Sequence, residues 1–252
     1  MKAMVLAAGL GTRLRPLTND RPKALVELNG RTLLELALLR LRGFGIHEVV
    51  VNVHHFADRV IAYLHKHNNF GMRIEVSRED VLLDTGGGLK KAAWFFLEPS
   101  GGQKVDHADE PFLLHNVDVV STIDFARMLQ AHRETQALAT LAVRKRESGR
   151  QLLFNEQMRL CGRRGGKDQQ PETVCSGVPP EQLAFCGIHI ISPRLLRLMR
   201  EDGIFSIIDC YLRLAAAGEH IAAFRADDCY WRDLGKPTDL QQAALDYVDA
   251  EL

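Results

Sequence analysis

The sequence carries no excess charge of either sign: 32 lysines and arginines stand against 32 aspartates and glutamates in 252 residues. A nucleic-acid or anionic-membrane footprint needs a basic surplus, so neither is an expected partner. Long apolar runs are missing too. Nothing approaches the roughly 18 consecutive apolar residues of a membrane span. The charged start Met1-Lys2-Ala3-Met4-Val5-Leu6 loses its apolar run at Gly9, too early for a signal peptide. Cysteine is sparse: residues 161, 175, 186, 210 and 229 all lie in the C-terminal half without a CxxC pair. An odd, scattered set argues against a disulfide framework or a zinc site. It reads as small buried apolar side chains in a reducing compartment, so the cytoplasm is the expected location.

What remains is an ordinary globular composition, 46% apolar and 25% charged, in a chain long enough for a full core. Lys2 to Ala8, Glu48 to Val53, Arg73 to Ser77, Pro111 to Val117 and Leu138 to Val143 read as strands. Between them, Thr32-Leu-Leu-Glu35 is a capping box opening a helix, and Phe56 to His67 and Phe125 to Glu134 are helical. Gly86 to Phe96 reads as a glycine turn continuing into a helix, and Pro99 to Glu110 as a surface loop. This alternation predicts an α/β sandwich with a mostly parallel sheet. After Arg144 the pattern changes: a hairpin over Gln151 to Leu160, an exposed loop over Gly162 to Pro180, then a strand over Leu183 to Ile191. Helices opened by Ser192-Pro193 and Ser206 follow, with short strands at Ala222 to Arg225 and Tyr230 to Asp233 and a closing helix over Pro237 to Asp249.

The densest signal is Ala7-Ala8-Gly9-Leu10-Gly11-Thr12-Arg13-Leu14-Arg15-Pro16-Leu17-Thr18, continued by Arg21-Pro22-Lys23. Four cations against Asp20 give this stretch a local charge of +3. The two glycines let backbone N–H groups approach a polyphosphate, and arginine and lysine supply matching charge. The alternative is a surface turn with incidental charge. The stretch is not a P-loop, since GxxxxGK[ST] occurs nowhere, and Leu14 stands where a dinucleotide fingerprint needs its third glycine. It follows the first strand, where open α/β sheets place ligands. Asp118, at the polar C-terminal tip of the strand that runs through Phe112-Leu-Leu-His-Asn116-Val, reads as a Mg²⁺ ligand or a turn residue. Leu83-Asp84-Thr85-Gly86-Gly87-Gly88 reads as a backbone surface for a nucleobase or a flexible turn. Asp227 and Asp228 read as a turn. His54, His55, His65 and His67 lack a carboxylate companion and read as solvated residues flanking a helix. His115 faces away from Asn116 in the strand.

The glycine-cation stretch resembles the signature of the sugar-1-phosphate nucleotidyltransferases, LAxGxGxRLxPLT followed by PK. Tyr230-Trp231-Arg232-Asp233-Leu234-Gly235-Lys236-Pro237 is similar to the family's second metal segment. Leu83 to Gly88 is similar to its base loop, and Phe185-Cys186-Gly187-Ile188 to its sugar segment. Val117 and Cys186 depart from the usual residues. Cys161-Gly-Arg163-Arg164 and Lys167 stand where many relatives carry a Glu-Lys pair. The resemblance implies a Rossmann-like, GT-A-like three-layer sandwich without an appended β-helix. It also implies one domain over 1–252, nucleotide-binding in 1–143 and sugar-binding in 144–252.

By the same resemblance, Ala8, Gly9, Gly11, Thr12, Arg13, Lys23, Asp84, Gly86, Gly87 and Asn116 bind nucleotide. Phe185 and Gly187 bind sugar. Asp118 and Asp233 hold Mg²⁺, and Arg13, Lys23 and Asp118 are catalytic. The expected substrates are an NTP and a sugar 1-phosphate, giving NDP-sugar and pyrophosphate. The resemblance is strongest to N-acetylmuramate 1-phosphate uridylyltransferases, with mannose or heptose 1-phosphate guanylyltransferases close behind. A metal-dependent glycosyltransferase and a non-catalytic nucleotide-sugar-binding subunit are the readings from other classes, and a homodimer is left open.

Overall fold

Strand β1 (Ala3–Leu6) sends Ala3 and Val5 into one apolar cluster and Met4 into another. A strand apolar on both faces has to be covered from both sides, and the rest of the chain supplies the cover. The structure, a computed structural model, describes residues 1–97, 110–165, 170–175 and 180–249.

Along the chain follow β2 (Glu27–Leu28), β3 (Arg31–Thr32), α1 (Leu33–Gly43), β4 (Glu48–Val53), α2 (Ala57–Lys66), β5 (Arg73–Arg78), α3 (Asp84–Lys91) and α4 (Ala93–Leu97). Next come β6 (Phe112–Asn116), β7 (Val119–Ser121), α5 (Phe125–Thr135), β8 (Ala139–Arg144), β9 (Arg150–Phe154), β10 (Leu160–Gly165) and β11 (Glu172–Thr173). The last are β12 (Glu181–Ile191), α6 (Arg194–Leu198), α7 (Ile207–Ala216), β13 (Ile221–Arg225), β14 (Trp231–Asp233) and α8 (Pro237–Asp249).

β1 lies parallel between β4 and β6, and β5 extends the parallel run beyond β4. Antiparallel β12 joins the other side of β6 and carries both β9 and β8 along its length. Helices α1, α2, α5 and α8 contribute to the cluster containing Val5, and α3, α4, α6 and α7 to the one containing Met4. The result is a three-layer sandwich around a mixed, mostly parallel sheet. The chain winds outward from β1 through β4 and β5, then returns to β6 on the other side. That reversal opens a crevice at the C-terminal ends of β1 and β6. Ala7 to Gly11 leaves one lip and Val117-Asp118 the other.

Local chemistry starts the helices as expected. The Thr32 hydroxyl accepts from Glu35 N at 3.1 Å and Ser206 caps α7, while α5 is capped by Asp124, which is not among the expected helix starts. Among the described residues no helix is long and apolar enough to cross a membrane.

Three expectations need correction. Gly86, Gly87 and Gly88 lie inside α3 rather than in a turn before it. The helix tolerates them because α3 docks its backbone on residues 203–205: a Cβ on Gly86 would sit 2.9 Å from Phe205 O, and one on Gly87 would collide with Gly203 O. Second, Gly162 opens no loop. β10 runs on to Gly165 and pairs with β11, whose backbone leaves no room for a Cβ at Gly162. Third, Cys161 and Cys175 form a disulfide, their Cα atoms 5.2 Å apart, because the β10–β11 pairing brings together residues with no recognisable spacing. Cys186 and Cys210 are buried free thiols and Cys229 is half-buried. Lys167 and most of Pro99 to Glu110 lie outside the described residues.

The α3 contact makes a test. Gly87→Ala is expected to lose about 1–3 kcal/mol of unfolding free energy, since the obstructing atom is backbone and cannot swing away. Gly9→Ala, with nothing within 4 Å of the added carbon, should stay within about 0.5 kcal/mol in the same urea titration. Equal losses would remove the packing explanation.

Candidate active site

The glycine-cation stretch leaves β1 as an open backbone. Among the described residues, no protein group accepts from the amides of Gly9, Leu10 or Gly11. Gly11 adopts φ +65°, left-handed, and its carbonyl takes a hydrogen bond from Thr18 Oγ1 at 2.8 Å. A Cβ there would meet Thr18 Cγ2 at 2.9 Å and Lys23 Cβ at 3.0 Å, so the loop closes only with glycine. Successive free N–H groups around a left-handed residue form a concavity for an anion. Two short 3-10 turns, Thr12–Leu14 and Lys23–Leu25, then present an exposed Arg13 and a half-buried Lys23.

Lys23 Nζ bonds to Asp118 Oδ2, on the far lip of the crevice. β7 pairs antiparallel with β14, Val119 opposite Asp233, and Leu234 N donates to Asp118 O at 2.7 Å. This pairing sets the two carboxylates side by side from positions 115 apart. Asp233 Oδ1 accepts from Gly235 N at 2.8 Å. Burial, and then the neighbouring Asp118 charge, raise its carboxyl above the ordinary aspartate value, while Lys23 and Arg13 pull it down. A Cβ on Gly235 would stand 2.8 Å from Arg13 Nη2, so glycine lets the guanidinium close over this corner. Lys23, Asp118, Asp233 and Arg13 thus converge. Two adjacent half-buried carboxylates are oxygen ligands suited to a hard cation, and the Lys23 ammonium already occupies a cationic position against them. No third acid or histidine joins them among the described residues, so a cation here would complete its shell from phosphate and water.

Beside this corner opens a cavity of about 1170 Å³, reached by Arg13, Asn116, Gly187, Trp231 and Asp233. Gly187, φ +75°, sits at an irregularity in the β12–β8 pairing, and any Cβ would strike Asn116 Nδ2 at 2.8 Å. Phe185 and Gly187 both line the cavity. Cys186 turns its thiol into the core, where burial pushes its pKa to about 12, and offers its carbonyl to Trp231 Nε1 at 2.8 Å. Val117 likewise packs into the core.

Other expected residues are less directly placed. Gly86 N and Gly87 N both donate to Phe205 O, at 3.0 and 3.3 Å, so neither amide is free to read a base edge. Asp84 is exposed at φ +60° with its carboxylate on Thr85 N at 2.6 Å. Arg163 pairs with Glu172 and Asp209, and Arg164 with Gln182, so neither replaces the Glu-Lys pair in the cavity. Asp227 holds Lys145 N and Arg225 in a turn. His115 is fully buried opposite Asn116. His54 is not simply solvated: its Nδ1 bonds to Glu79 O at 2.8 Å.

Sequence reasoning missed two features. Buried Asn52 accepts from Ala7 N at 2.7 Å through Oδ1 and donates to buried Glu79 at 2.6 Å through Nδ2. The other Glu79 oxygen takes Leu83 N at 2.9 Å, tying the cation loop to the start of α3. Polar residues inside an apolar strand pattern were the available signal. The second feature is Arg144 and Arg146 on the cavity wall, a charge run closing the buried strand β8.

Residues 2–151 match the profile of the family described as nucleotidyl transferase. Over 247 residues, 93% of this chain and 92% of the relative, the sequence is 36% identical to an N-acetylmuramate alpha-1-phosphate uridylyltransferase from Caulobacter vibrioides. It is 27% identical over 252 residues to a mannose-1-phosphate guanyltransferase from Yarrowia lipolytica, covering 99% of this chain and 65% of that longer protein. Among solved structures, the inositol-1-phosphate CTP transferase from T. maritima superposes with a TM-score of 0.73 over 100% of this chain and 97% of that one. At 18% identity that likeness speaks for the fold alone.

Proposed function

We propose, given that this chain belongs to the nucleotidyl transferase family, that it condenses UTP with N-acetylmuramate 1-phosphate, giving UDP-N-acetylmuramate and pyrophosphate. The chain is a sugar-1-phosphate nucleotidyltransferase, and the choice of base and sugar is the proposed part. The reading rests on one observation above all: Lys23, Asp118 and Asp233 meet beneath a loop of free amides. The uridylyl choice draws on the relative matched over almost its whole length.

The reaction forms a bond between a sugar-phosphate oxygen and the α-phosphorus of the nucleotide. It breaks the bond from that phosphorus to the bridging oxygen, whose electron pair leaves with pyrophosphate. The attacking phosphate is already anionic at neutral pH, so no side chain has to remove a proton. What the site supplies is alignment and neutralisation of crowded oxygens. The amides of Gly9 to Gly11, with Arg13, take the departing β- and γ-phosphates. Lys23 releases Asp118 and bridges the sugar phosphate to the α-phosphate. Asn116 and Gly187 bound the sugar side, and Asp84 stands toward the base. Asp118 and Asp233 would hold Mg²⁺, which when bound offsets phosphate charge as a Lewis acid.

A matrix of four NTPs against N-acetylmuramate, mannose, heptose and glucose 1-phosphates, read by pyrophosphate release, tests the assignment. UTP with N-acetylmuramate 1-phosphate should give the highest kcat/KM. A maximum with GTP and mannose 1-phosphate would move the chain to the guanylyl branch. Pyrophosphate from no pairing would leave only a binding role.

A further inference from the structure

The cavity wall carries a cation without an anion. Arg146 follows β8, and its guanidinium lies 4.5 Å from the centroid of the Trp231 ring. Its hydrogen bonds go only to carbonyls, Nη1 to Glu147 O at 3.4 Å and Nη2 to Phe185 O at 3.3 Å. Nε is buried and has no partner. No ion pair to Arg146 exists among the described residues, although other arginines of the chain, such as 163, 194 and 213, are matched to carboxylates. Burial draws its pKa down by more than the nearby Asp233 charge draws it up, so the ligand-free protein offsets its desolvation only in part. Neighbouring Arg144 likewise donates only to carbonyls, those of Cys229 and Asp227, and its Nε is also buried without a partner; Arg146 differs in lying over the Trp231 ring.

Phosphates are not the natural partner. They have the loop amides, Arg13 and Lys23, and Arg146 stands to one side of the Asp233 corner, near enough to feel its charge. It stacks on Trp231, two residues before Asp233 on the same face of β14, a displacement of roughly 7 Å along the strand. A pyranose whose anomeric phosphate rests at the Asp233 corner spans about that distance, so Arg146 falls beside the ring substituents. A planar fork stacked on an aromatic face is matched to a carboxylate. We infer that Arg146 is a specificity residue that binds a carboxylate carried by the sugar 1-phosphate, making an acidic sugar the preferred acceptor over a neutral hexose. This rests on the function proposed above, and N-acetylmuramate supplies such a group in its lactyl ether.

The test uses the full chain with Mg²⁺ and UTP, comparing N-acetylmuramate 1-phosphate with N-acetylglucosamine 1-phosphate, the same ring lacking the lactyl carboxylate. Wild type should prefer the acid by roughly 10- to 100-fold in kcat/KM, the span of one charge-assisted hydrogen-bonded contact. Arg146→Met should raise KM for the acid far more than for the neutral sugar, bringing the preference to within about threefold, and Arg146→Lys should keep an intermediate preference. Equal losses on both sugars would overturn the inference, because the arginine would then serve the shared phosphate or merely brace Trp231. Should Arg146→Met lose its cooperative melt, the wild-type preference and Arg146→Lys decide: no wild-type preference overturns it equally. Pyrophosphate from both sugars without preference sinks this inference alone, whereas no pyrophosphate from either sinks the functional assignment beneath it.

Discussion

Asp118→Asn is expected to lower kcat by at least about 1000-fold, a transition-state loss on the order of 4 kcal/mol. Its melting temperature should stay within a few degrees of wild type. The substitution keeps the side chain's shape and removes one charge from a corner that holds Lys23, Asp118 and Asp233 together. Stripping the partner from a buried cation is ordinarily severe, about 3–5 kcal/mol, because the cation is left alone. Here Asp233 remains to face Lys23, and the repulsion that raises the Asp233 carboxyl disappears. Fold and function therefore separate at this position. Thermal melts and pyrophosphate release on the same preparation check both halves. Near-normal turnover would remove Asp118 from the chemistry, and a collapsed melt would mean the acid is structural.

Acid should weaken the fold steeply between pH 7 and pH 5. His115, His132 and His189 are 0%, 3% and 1% exposed, and burial lowers their pKa values to about 4, 4 and 3. Their Nδ1 atoms are committed to Asn116 O, Thr140 Oγ1 and Tyr211 OH at 2.8 to 2.9 Å. In the unfolded chain each takes a proton near pH 6.5, but the folded protein refuses it for two or more further units. Their stabilising contribution is thus complete above 6.5 and drains away as pH falls toward 4. Each histidine forfeits roughly 2 kcal/mol between pH 7 and pH 5, so the three together remove several kcal/mol from a typical total of about 5–15. Asp233 works the other way, its raised carboxyl favouring the fold as pH drops, but it is one group against three. Urea titrations at pH 7, 6 and 5 read the slope, and His132→Gln should flatten it. A level profile would contradict the account.

Much of the architecture was legible because it is written locally. The apolar runs of β1, β4 and β6 alternate between two cores, and Thr32 with Glu35 announces a helix start within four residues. The meeting of Lys23, Asp118 and Asp233 was legible only through family resemblance. No local rule relates side chains 95 and 115 positions apart, and the β7–β14 pair that joins them is three residues long. The glycines of α3 misled because propensity assigns such a run to a turn, while the demand for small residues comes from Phe205 and Gly203, more than a hundred positions away. Arg146 escaped for the opposite reason. A Lys-Arg run beside a strand looks like a solvated edge until Trp231 arrives from β14 to receive it.

Asn52 and Glu79 make one rigid part out of two loops. Because a single carboxamide is anchored on the backbone at Ala7 and on an acid that grips Leu83, the gap between the cradle at residues 9–11 and the entrance to α3 is set by three hydrogen bonds through two buried side chains. On the proposed binding mode, a nucleotide lying across that gap would meet a caliper of fixed jaw width, its tail and its ring measured together, and loosening either jaw would spoil the fit of both.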